Sequence, residues 1–321
     1  MKFVQSHFRS LFNFLFICFY CGCSREYAPN FFFDVSEISF EGISRGEDLE
    51  VNDLAVNSRG QIFLCDKKNS LVICFASDGS YLRQIGRRDK YSGDISHPVA
   101  LAMDEKDKLY IACSKEILIY NSEGKKIRQF DLDIRGSKSI DVDKWGNIYV
   151  TGYHKNGSIH KYDPEGRKLK TFGNLFEHDN QIVKRNYSGG KLNIIKDRIY
   201  MTSYTPYNVN IYELNGQLVT QYQRPELDFQ PSFEVVGDNY IFRRSSQGLN
   251  ICSVDGLVFH TFYLNGKGIY LDIYGGDNAL IRRDILLNVH ILTSDQMGYV
   301  YYMTRRGPGA SVFRGRPKGD F

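Results

Sequence analysis

Short apolar runs alternate with clusters of turn-forming residues along most of the chain. Between residues 137 and 173, the apolar runs cover residues 140–142, 148–150, 159–162 and 169–172. The sequence DKWGN separates the first two runs, and DPEG separates the last two. Because Asp, Gly, Asn and Pro supply the backbone geometries of tight reversals, this arrangement predicts a four-stranded antiparallel sheet.

The same pattern recurs about every 42 residues, and two sets of turn residues mark it. The set before the last strand of each repeat comprises Gly79, Gly124, Gly166, Gly216, Gly256 and Gly298. The set before the second strand comprises Gly60, Asp107, Gly146, Asp197, Asp238 and Asp277. Repeats of this length with four strands each are typical of propeller blades. The predicted fold class is therefore all-β, a six-bladed β-propeller of four-stranded antiparallel blades.

The repeats divide the chain into four regions. They place the ring itself at residues 51–304, after a leader at residues 1–23. Residues 24–50 include an apolar, strand-like stretch, which we expect to pack on the last blade near residues 299–304, because an open ring would expose sheet edges. Residues 305–321 are rich in Gly, Pro and Arg without a strand period, so we expect a mobile basic tail.

Two stretches carry a resemblance to a known family. They are residues 97–111, HPVALAMDEKDKLYI, and residues 140–150, IDVDKWGNIYV. This pattern of Pro, strand, Asp, Gly-Asn turn and Ile-Tyr-Val resembles the NHL-repeat propellers, although repeats four to six shorten the first turn. The resemblance implies the propeller architecture and leaves the chemistry open, since propellers have many functions.

The leader predicts export. Lys2 and Arg9 precede an apolar run at residues 11–20, which is too short to span a membrane and is typical of a signal peptide. Gly22 before Cys23 resembles the lipobox of bacterial lipoproteins, with departures at Tyr20 and Cys21. The resemblance implies lipidation of Cys23 and a lipid-anchored protein of the bacterial cell envelope. A cleaved signal peptide, giving a periplasmic or secreted soluble protein, is the alternative.

Four cysteines follow the leader, at Cys65, Cys74, Cys113 and Cys252, and their spacing matches no zinc pattern. Cys65 and Cys74 flank a predicted turn and could pair in an oxidising compartment. The other interpretation is that both are small buried apolar side chains.

The catalytic and metal sites of related propellers have only partial counterparts in this sequence. Amidating-lyase propellers hold zinc with three histidines near the axis, but here only His97 stands before a predicted inner strand, so no such site is expected. Lactonase-type propellers hold one divalent cation on the axis with carboxylate and amide oxygens. The corresponding positions in or beside predicted inner strands are Asp53, Asp141, Asn193, Glu234 and Asp272. A polar channel without a metal is the other interpretation, and we predict no cofactor and no catalytic residue.

When the charged residues are sorted by the loop in which they lie, they predict one acidic and one basic end of the ring. The net charge of +4 is too small to indicate nucleic-acid binding, which also conflicts with export. The predicted ligand-binding residues on the basic, aromatic end are Arg87, Arg88, Tyr153, His154, Lys184, Arg185, Tyr187, Tyr204, Tyr207, Arg243, Arg244, Arg282 and Arg283. We therefore expect a binding module for an acidic glycan or an envelope protein. An axial-metal hydrolase or lyase is the alternative.

Overall fold

The computed structural model describes residues 31–38, 50–86, 95–227, 231–236, 239–242, 246–287, 289–303 and 311–318. Six four-stranded sheets and one two-stranded sheet account for the strands of these residues. All pairings within the sheets are antiparallel, for example between residues 148–154 and 157–162. The predicted fold class, an all-β six-bladed propeller, is confirmed.

The strands follow one another around the ring. The first strand, β1 (Phe32–Ile38), precedes blade one, which consists of β2 (Val51–Val56), β3 (Ile62–Asp66), β4 (Leu71–Phe75) and β5 (Tyr81–Ile85). Blade two consists of β6 (Pro98–Met103), β7 (Leu109–Cys113), β8 (Glu116–Tyr120) and β9 (Lys126–Asp131). Blade three consists of β10 (Arg135–Val142), β11 (Ile148–His154), β12 (Gly157–Tyr162) and β13 (Lys168–Phe172).

Insertions accompany the second half of the ring. Helix α1 (Gln181–Tyr187) precedes blade four, which consists of β14 (Gly190–Ile195), β15 (Arg198–Ser203), β16 (Asn208–Glu213) and β17 (Leu218–Gln223). A separate hairpin follows, formed by β18 (Phe233–Val236) and β19 (Asn239–Phe242). Blade five consists of β20 (Gln247–Val254), β21 (Leu257–Leu264), β22 (Gly268–Tyr274) and β23 (Leu280–Leu286). Blade six consists of β24 (His290–Ser294), β25 (Val300–Met303), β26 (Val312–Pro317) and β1.

The core lies between neighbouring blades. All residues of β3 and β4 are buried, whereas Tyr81 and Leu82 on the outermost strand β5 are each 45% exposed. Phe63 of blade one packs in one cluster with Ile111 and Leu118 of blade two. Because both faces of a blade meet a neighbour, its middle strands are continuous apolar runs rather than alternating ones.

Cys65 and Cys74 belong to this core. Cys65 lies opposite Val72, and Cys74 lies opposite Phe63, so the two sulfurs do not face each other across the β3–β4 pair. Both are free, buried thiols. The structure therefore supports their interpretation as small buried side chains rather than as a disulfide.

The acidic turns are explained by local hydrogen bonds. Asp143 accepts the backbone N–H groups of Trp145 at 3.0 Å and Asn147 at 2.9 Å, and the hydroxyl of Tyr149 donates to it at 3.1 Å. Gly146 completes this turn with a φ of 85°, which glycine adopts without steric cost. Asp104 with Tyr110 and Asp295 with Tyr301 repeat the arrangement. The aspartates are therefore structural turn formers.

The predicted assignment of strands to blades five and six is wrong: it is displaced by two strands. Gly256 lies between β20 and β21, and Gly298 lies between β24 and β25, so both follow the first strand of a blade rather than the third. The cause is the hairpin β18–β19, which pairs only with itself but has the sequence pattern of half a blade. Turns after first and third strands use the same residues, so these anchors could not reveal the shift.

β1 packs on the last blade, where the ring of Phe32 stacks on that of Tyr302 at 4.6 Å. Its hydrogen-bonded neighbour is β26, a strand that the sequence analysis did not predict, from Phe32 opposite Pro317 to Ile38 opposite Val312. The expectation of a mobile tail is therefore wrong for Val312–Pro317. Gly315 lies against β1, where an added Cβ would come within 3.1 Å of side-chain atoms of Phe32 and Val35. A glycine required by this close packing interrupts the apolar alternation that would have indicated a strand.

Candidate functional site

Two regions bring polar residues together: the channel on the ring axis, and one end of the ring. We call the end that carries the connections between blades, and those between second and third strands, the loop face. The opposite end is the turn face. Among the described residues, no helix is long and apolar enough to cross a membrane.

The axial channel is lined by the first strands of the blades. These strands contact one another in the order β2, β6, β10, β14, β20 and β24, and β24 contacts β2. They enclose a cavity of about 150 Å³. Its polar lining includes Asp53, Ser139, Asp141, Lys191, Asn193 and Asn250.

Most of these polar groups connect adjacent blades. Asp53 of blade one accepts the N–H of Leu101 in blade two at 3.0 Å, and Asp141 of blade three accepts the N–H of Ile194 in blade four at 2.6 Å. Asn250 of blade five donates to the carbonyl of Leu292 in blade six at 2.7 Å. Inner strands of different blades share no backbone ladder, so these side chains supply the missing hydrogen bonds.

The one ammonium among the channel-lining residues crosses the axis. Lys191 Nζ lies 3.3 Å from Asp53 Oδ2, and the two side chains are only 13% and 11% exposed. Lys191 belongs to blade four and Asp53 to blade one, which are opposite each other in a six-membered ring. Burial raises the pKa of Asp141 to about 6, although the N–H groups of Ile194 and Val142 oppose this shift.

The predicted metal ligands do not form one site. Asp53, Asp141 and Asn193 line the channel. Glu234, however, is exposed on the hairpin strand β18, and Asp272 is buried on β22, the third strand of blade five. Within the described residues, no three His, Cys, Asp or Glu side chains form a group that could hold a metal ion. The ammonium of Lys191 already compensates Asp53, so the channel as arranged does not fit a divalent cation.

Asp272 belongs instead to a buried network between blades four and five. The hydroxyl of Tyr207 donates to Asp272 at 2.5 Å, and Arg224 lies 3.2 Å from the same carboxylate and 2.7 Å from Asp284. His260 Nδ1 lies 3.0 Å from the hydroxyl of Tyr207. Burial raises the pKa of Asp272, and the hydrogen bond from Tyr207 and the charge of Arg224 oppose that shift. Burial also lowers the pKa of His260 to about 3, which keeps its ring neutral.

This network removes one residue from the predicted ligand site. Tyr207 is 1% exposed, so its prediction as a ligand-binding residue is wrong. The contributions of Arg224 and His260 were missed. A signal existed in the sequence, because His260 and Asp272 stand inside the mostly apolar runs LVFHTFYL and GIYLDIY.

On the loop face, α1 and the hairpin β18–β19 pack together as a cap beside blades three and four. The hydroxyl of Tyr187 in α1 accepts the N–H of Ser232 at 3.1 Å, and its ring centroid lies 5.8 Å from that of Phe242. The rings of His178 and Phe233 meet edge to face at 6.0 Å. The two insertions therefore support each other.

The N-terminal and C-terminal ends of α1 are both fixed by side chains. At its start, Asn180 accepts the N–H groups of Ile182 and Val183. At its end, Lys138 Nζ donates to the carbonyls of Asn186 and Ser188, each at 2.6 Å. Burial lowers the pKa of Lys138 to about 7. The helix is thereby held against the start of β10.

Cations lie over aromatic rings beside the cap. Lys138 Nζ is 4.6 Å from the ring centroid of Tyr204, and the guanidinium carbon of Arg185 is 5.7 Å from that of Tyr153. Lys184 Nζ lies 3.2 Å from Glu177, whose side chain is 84% exposed. Four of the predicted ligand residues, Tyr153, Lys184, Arg185 and Tyr204, thus lie on α1 or beside it, and we call these four residues with Lys138 the loop-face cluster. His154 lies one residue after Tyr153, at the end of β11.

Other predicted ligand residues lie elsewhere. Arg282 and Arg283 are on β23, the outermost strand of blade five, so their prediction in a loop is wrong because of the two-strand shift. Tyr187 is buried in the cap, where it supports the cluster rather than facing solvent. The positions that lie outside the described residues are Cys23, Arg87, Arg88, Arg243 and Arg244.

Comparison with known proteins agrees with this architecture. A family model described as a 6-bladed beta-propeller matches residues 32–282, which is more than half of the chain. The protein brain tumor of Drosophila melanogaster is 28% identical over 137 residues, or 41% of this chain. The chain spans only 13% of the length of that relative.

Solved structures show the same fold at low identity. A candidate exported protein from Bacteroides fragilis is 12% identical, with a TM-score of 0.62 over 92% of this chain and 97% of that chain. A gluconolactonase from Xanthomonas campestris is 14% identical, with a TM-score of 0.53 over 91% of this chain and 97% of that chain. At such identities the likeness concerns the fold alone.

Proposed function

Since the chain belongs to the 6-bladed β-propeller family, we propose that it is a binding module whose loop face recognises an anionic ligand. The observation that carries the proposal is the loop-face cluster, in which Lys138 of blade three and Arg185 of α1 lie over the rings of Tyr204 and Tyr153. Both insertions of the ring pack against this region, so the arrangement is held in place rather than free to rearrange.

The guanidinium group of Arg185 supports an anionic ligand. Its buried Nε has no hydrogen-bond partner within the part of the chain that the structure describes. A guanidinium group offers a planar set of donors that matches carboxylate, sulfate or phosphate. Arg185 therefore gives the loop face a group that suits an anion.

The tyrosines restrict the ligand further. Tyr153 and Tyr204 are partly exposed beside the cations. Aromatic rings stack on sugar rings and on apolar side chains, while the phenol hydroxyl can still donate a hydrogen bond. An acidic glycan or an acidic protein surface would use both features.

The leader supports a location for this binding module outside the cytoplasm. Signal-peptide features at residues 1–23 support export, and Gly22-Cys23 supports a lipid anchor in the cell envelope. An envelope protein or an envelope glycan would then be within reach. For the alternative of an axial-metal hydrolase or lyase, no arrangement of the described residues gives specific support, because Lys191 occupies the channel.

A binding screen tests the proposal. Purified protein is applied to panels of acidic glycans, acidic peptides and their neutral counterparts at about 20 mM and about 200 mM salt. We expect binding to acidic members only, weaker at high salt because the Debye length falls below about 10 Å above 0.1 M. Absence of binding to every acidic member at low salt would contradict the proposal.

A further inference from the structure

The axial channel combines two carboxyl groups, Asp53 and Asp141, with a single ammonium, that of Lys191. We propose that this ammonium is the resident cation of the ring axis, and that it excludes divalent ions from a channel that would otherwise bind one. This inference is independent of the ligand proposed for the loop face.

The position of Lys191 is fixed by its strand. It is the second residue of β14 and lies opposite Thr202 of β15, so the blade's own ladder holds its backbone. From there its side chain reaches Asp53 on the opposite blade, at 3.3 Å, and both side chains are largely buried. A buried ammonium needs a compensating charge, and Asp53 provides it.

The remaining groups of the channel are suited to a hard cation. Besides the two carboxylates, the lining includes the amide of Asn193 and the hydroxyls of Ser139, Thr293 and Ser294. Calcium takes six to eight oxygen ligands of these kinds, with water completing the set. The channel therefore offers the oxygen ligands that calcium prefers, but Lys191 already supplies the positive charge beside them.

Repulsion explains why a metal ion and Lys191 do not share the channel. An ion bound by Asp53 would lie within about 6 Å of Lys191 Nζ, because Nζ is 3.3 Å from Oδ2 of that carboxylate and calcium–oxygen distances are about 2.4 Å. Like charges at that separation repel strongly where protein surrounds them, because the local dielectric constant is far below that of water. Removing the ammonium leaves Asp53 without its compensating charge, so the channel then favours a bound cation.

The test is a titration of the full propeller with Ca²⁺, followed by calorimetry, and with Tb³⁺, followed by luminescence. Wild-type protein, washed with chelator, should bind neither ion in the channel. Lys191→Met should bind one equivalent of each ion, with an affinity at least tenfold above the weakest that the titration can detect.

Two control variants locate the new site. Lys191→Met combined with Asp53→Asn should lose the gained binding, whereas Lys125→Met, which removes an exposed lysine from the turn face, should behave as wild type. If Lys191→Met does not fold, Lys191→Gln serves in its place. Stoichiometric binding by wild type would overturn the proposal, and so would a folded Lys191→Met or Lys191→Gln that gains no binding.

Discussion

Asp272 shows how a carboxylate is accommodated inside an apolar strand. Its side chain is fully buried, and Arg224, Tyr207 and the N–H of Asp284 surround it. Removing one partner of such a group leaves a buried charge without compensation, which costs far more than the loss of an exposed ion pair.

Arg224→Met should therefore lower the free energy of unfolding by about 3 to 5 kcal/mol. Urea denaturation followed by circular dichroism measures the change. Arg167→Met is the matched control, because the Arg167 side chain is 77% exposed beside Asp163, and it should cost about 1 kcal/mol or less. Similar losses in the two variants would show that the network contributes no more than a surface pair.

Asp141 should give the stability a pH dependence. Its pKa is raised to about 6 by burial, above the value of about 4 in an unfolded chain, so the folded state favours the protonated form. The corresponding stability is complete below about pH 4 and is lost as the pH rises through about 6. Asp141→Asn should remove this loss, which we expect to be about 1 to 2 kcal/mol because the group borders the channel.

Chemical denaturation of both proteins between about pH 4 and about pH 7 measures this effect. The stability of wild type relative to Asp141→Asn should fall across that interval. A constant difference between the two proteins would mean that Asp141 does not titrate there.

Single residues were predictable where the repeat defines their position. Asp53 and Asp141 were expected on inner strands, and both line the channel. Glu234 lies in the uncounted hairpin itself and Asp272 lies after it, so the same rule assigned both to the wrong strands. Contacts between blades, such as that of Lys191 with Asp53, join residues more than a hundred positions apart, and the sequence carries no signal for them.

Among the elements, the hairpin β18–β19 depends on its neighbours. A two-stranded sheet alone is marginally stable in water, and Val235 and Val236 are 58% and 54% exposed. Its contacts with α1, above all those of Tyr187 with Ser232 and Phe242, hold it in place. The cap should therefore open locally while the ring stays folded.

Tyr187→Phe should loosen this hairpin without changing the melting temperature of the ring. The loss of one hydrogen bond, worth about 1 kcal/mol, corresponds to about fivefold faster amide exchange in residues 231–242. Hydrogen–deuterium exchange by mass spectrometry measures it, with Tyr81→Phe on the exposed strand β5 as the control. Unchanged exchange in the hairpin would show that the bond from Tyr187 is not what holds it.

The hairpin also explains why the sequence predicted the elements better than their grouping. Apolar runs and turn residues located its strands correctly, because local chemistry determines both. Whether a strand pair joins a blade depends on the surface that covers it. Here that surface is α1, an element that the repeat pattern does not include.

The ring as a whole is closed by strands from the two ends of the described part of the chain. β1 supplies the outermost strand of blade six, and its Phe32 and Ile38 are 1% and 5% exposed. Fully burying each such side chain contributes about 1.5 to 3 kcal/mol. The strand also covers an edge of β26 that would otherwise be open to pairing with another chain.

Deletion of residues 1–38 should therefore destabilise the entire propeller by about 4 kcal/mol or more, compared with a chain that begins at residue 31. Calorimetric melting measures the difference, and all blades should unfold together in both proteins. Equal melting temperatures would indicate that the ring closes without β1.

Two double variants distinguish the loop-face cluster from positive charge in general. Lys184→Gln with Arg185→Gln removes two cations from the cluster, whereas Arg282→Gln with Arg283→Gln removes two from the outer strand β23. The measurement is the affinity of each protein for the tightest acidic ligand found in the binding screen, at about 20 mM salt. We expect at least a tenfold loss for the first variant and less than a twofold change for the second. Equal affinities for both variants, or a greater loss for the second, would contradict a ligand site on the loop face.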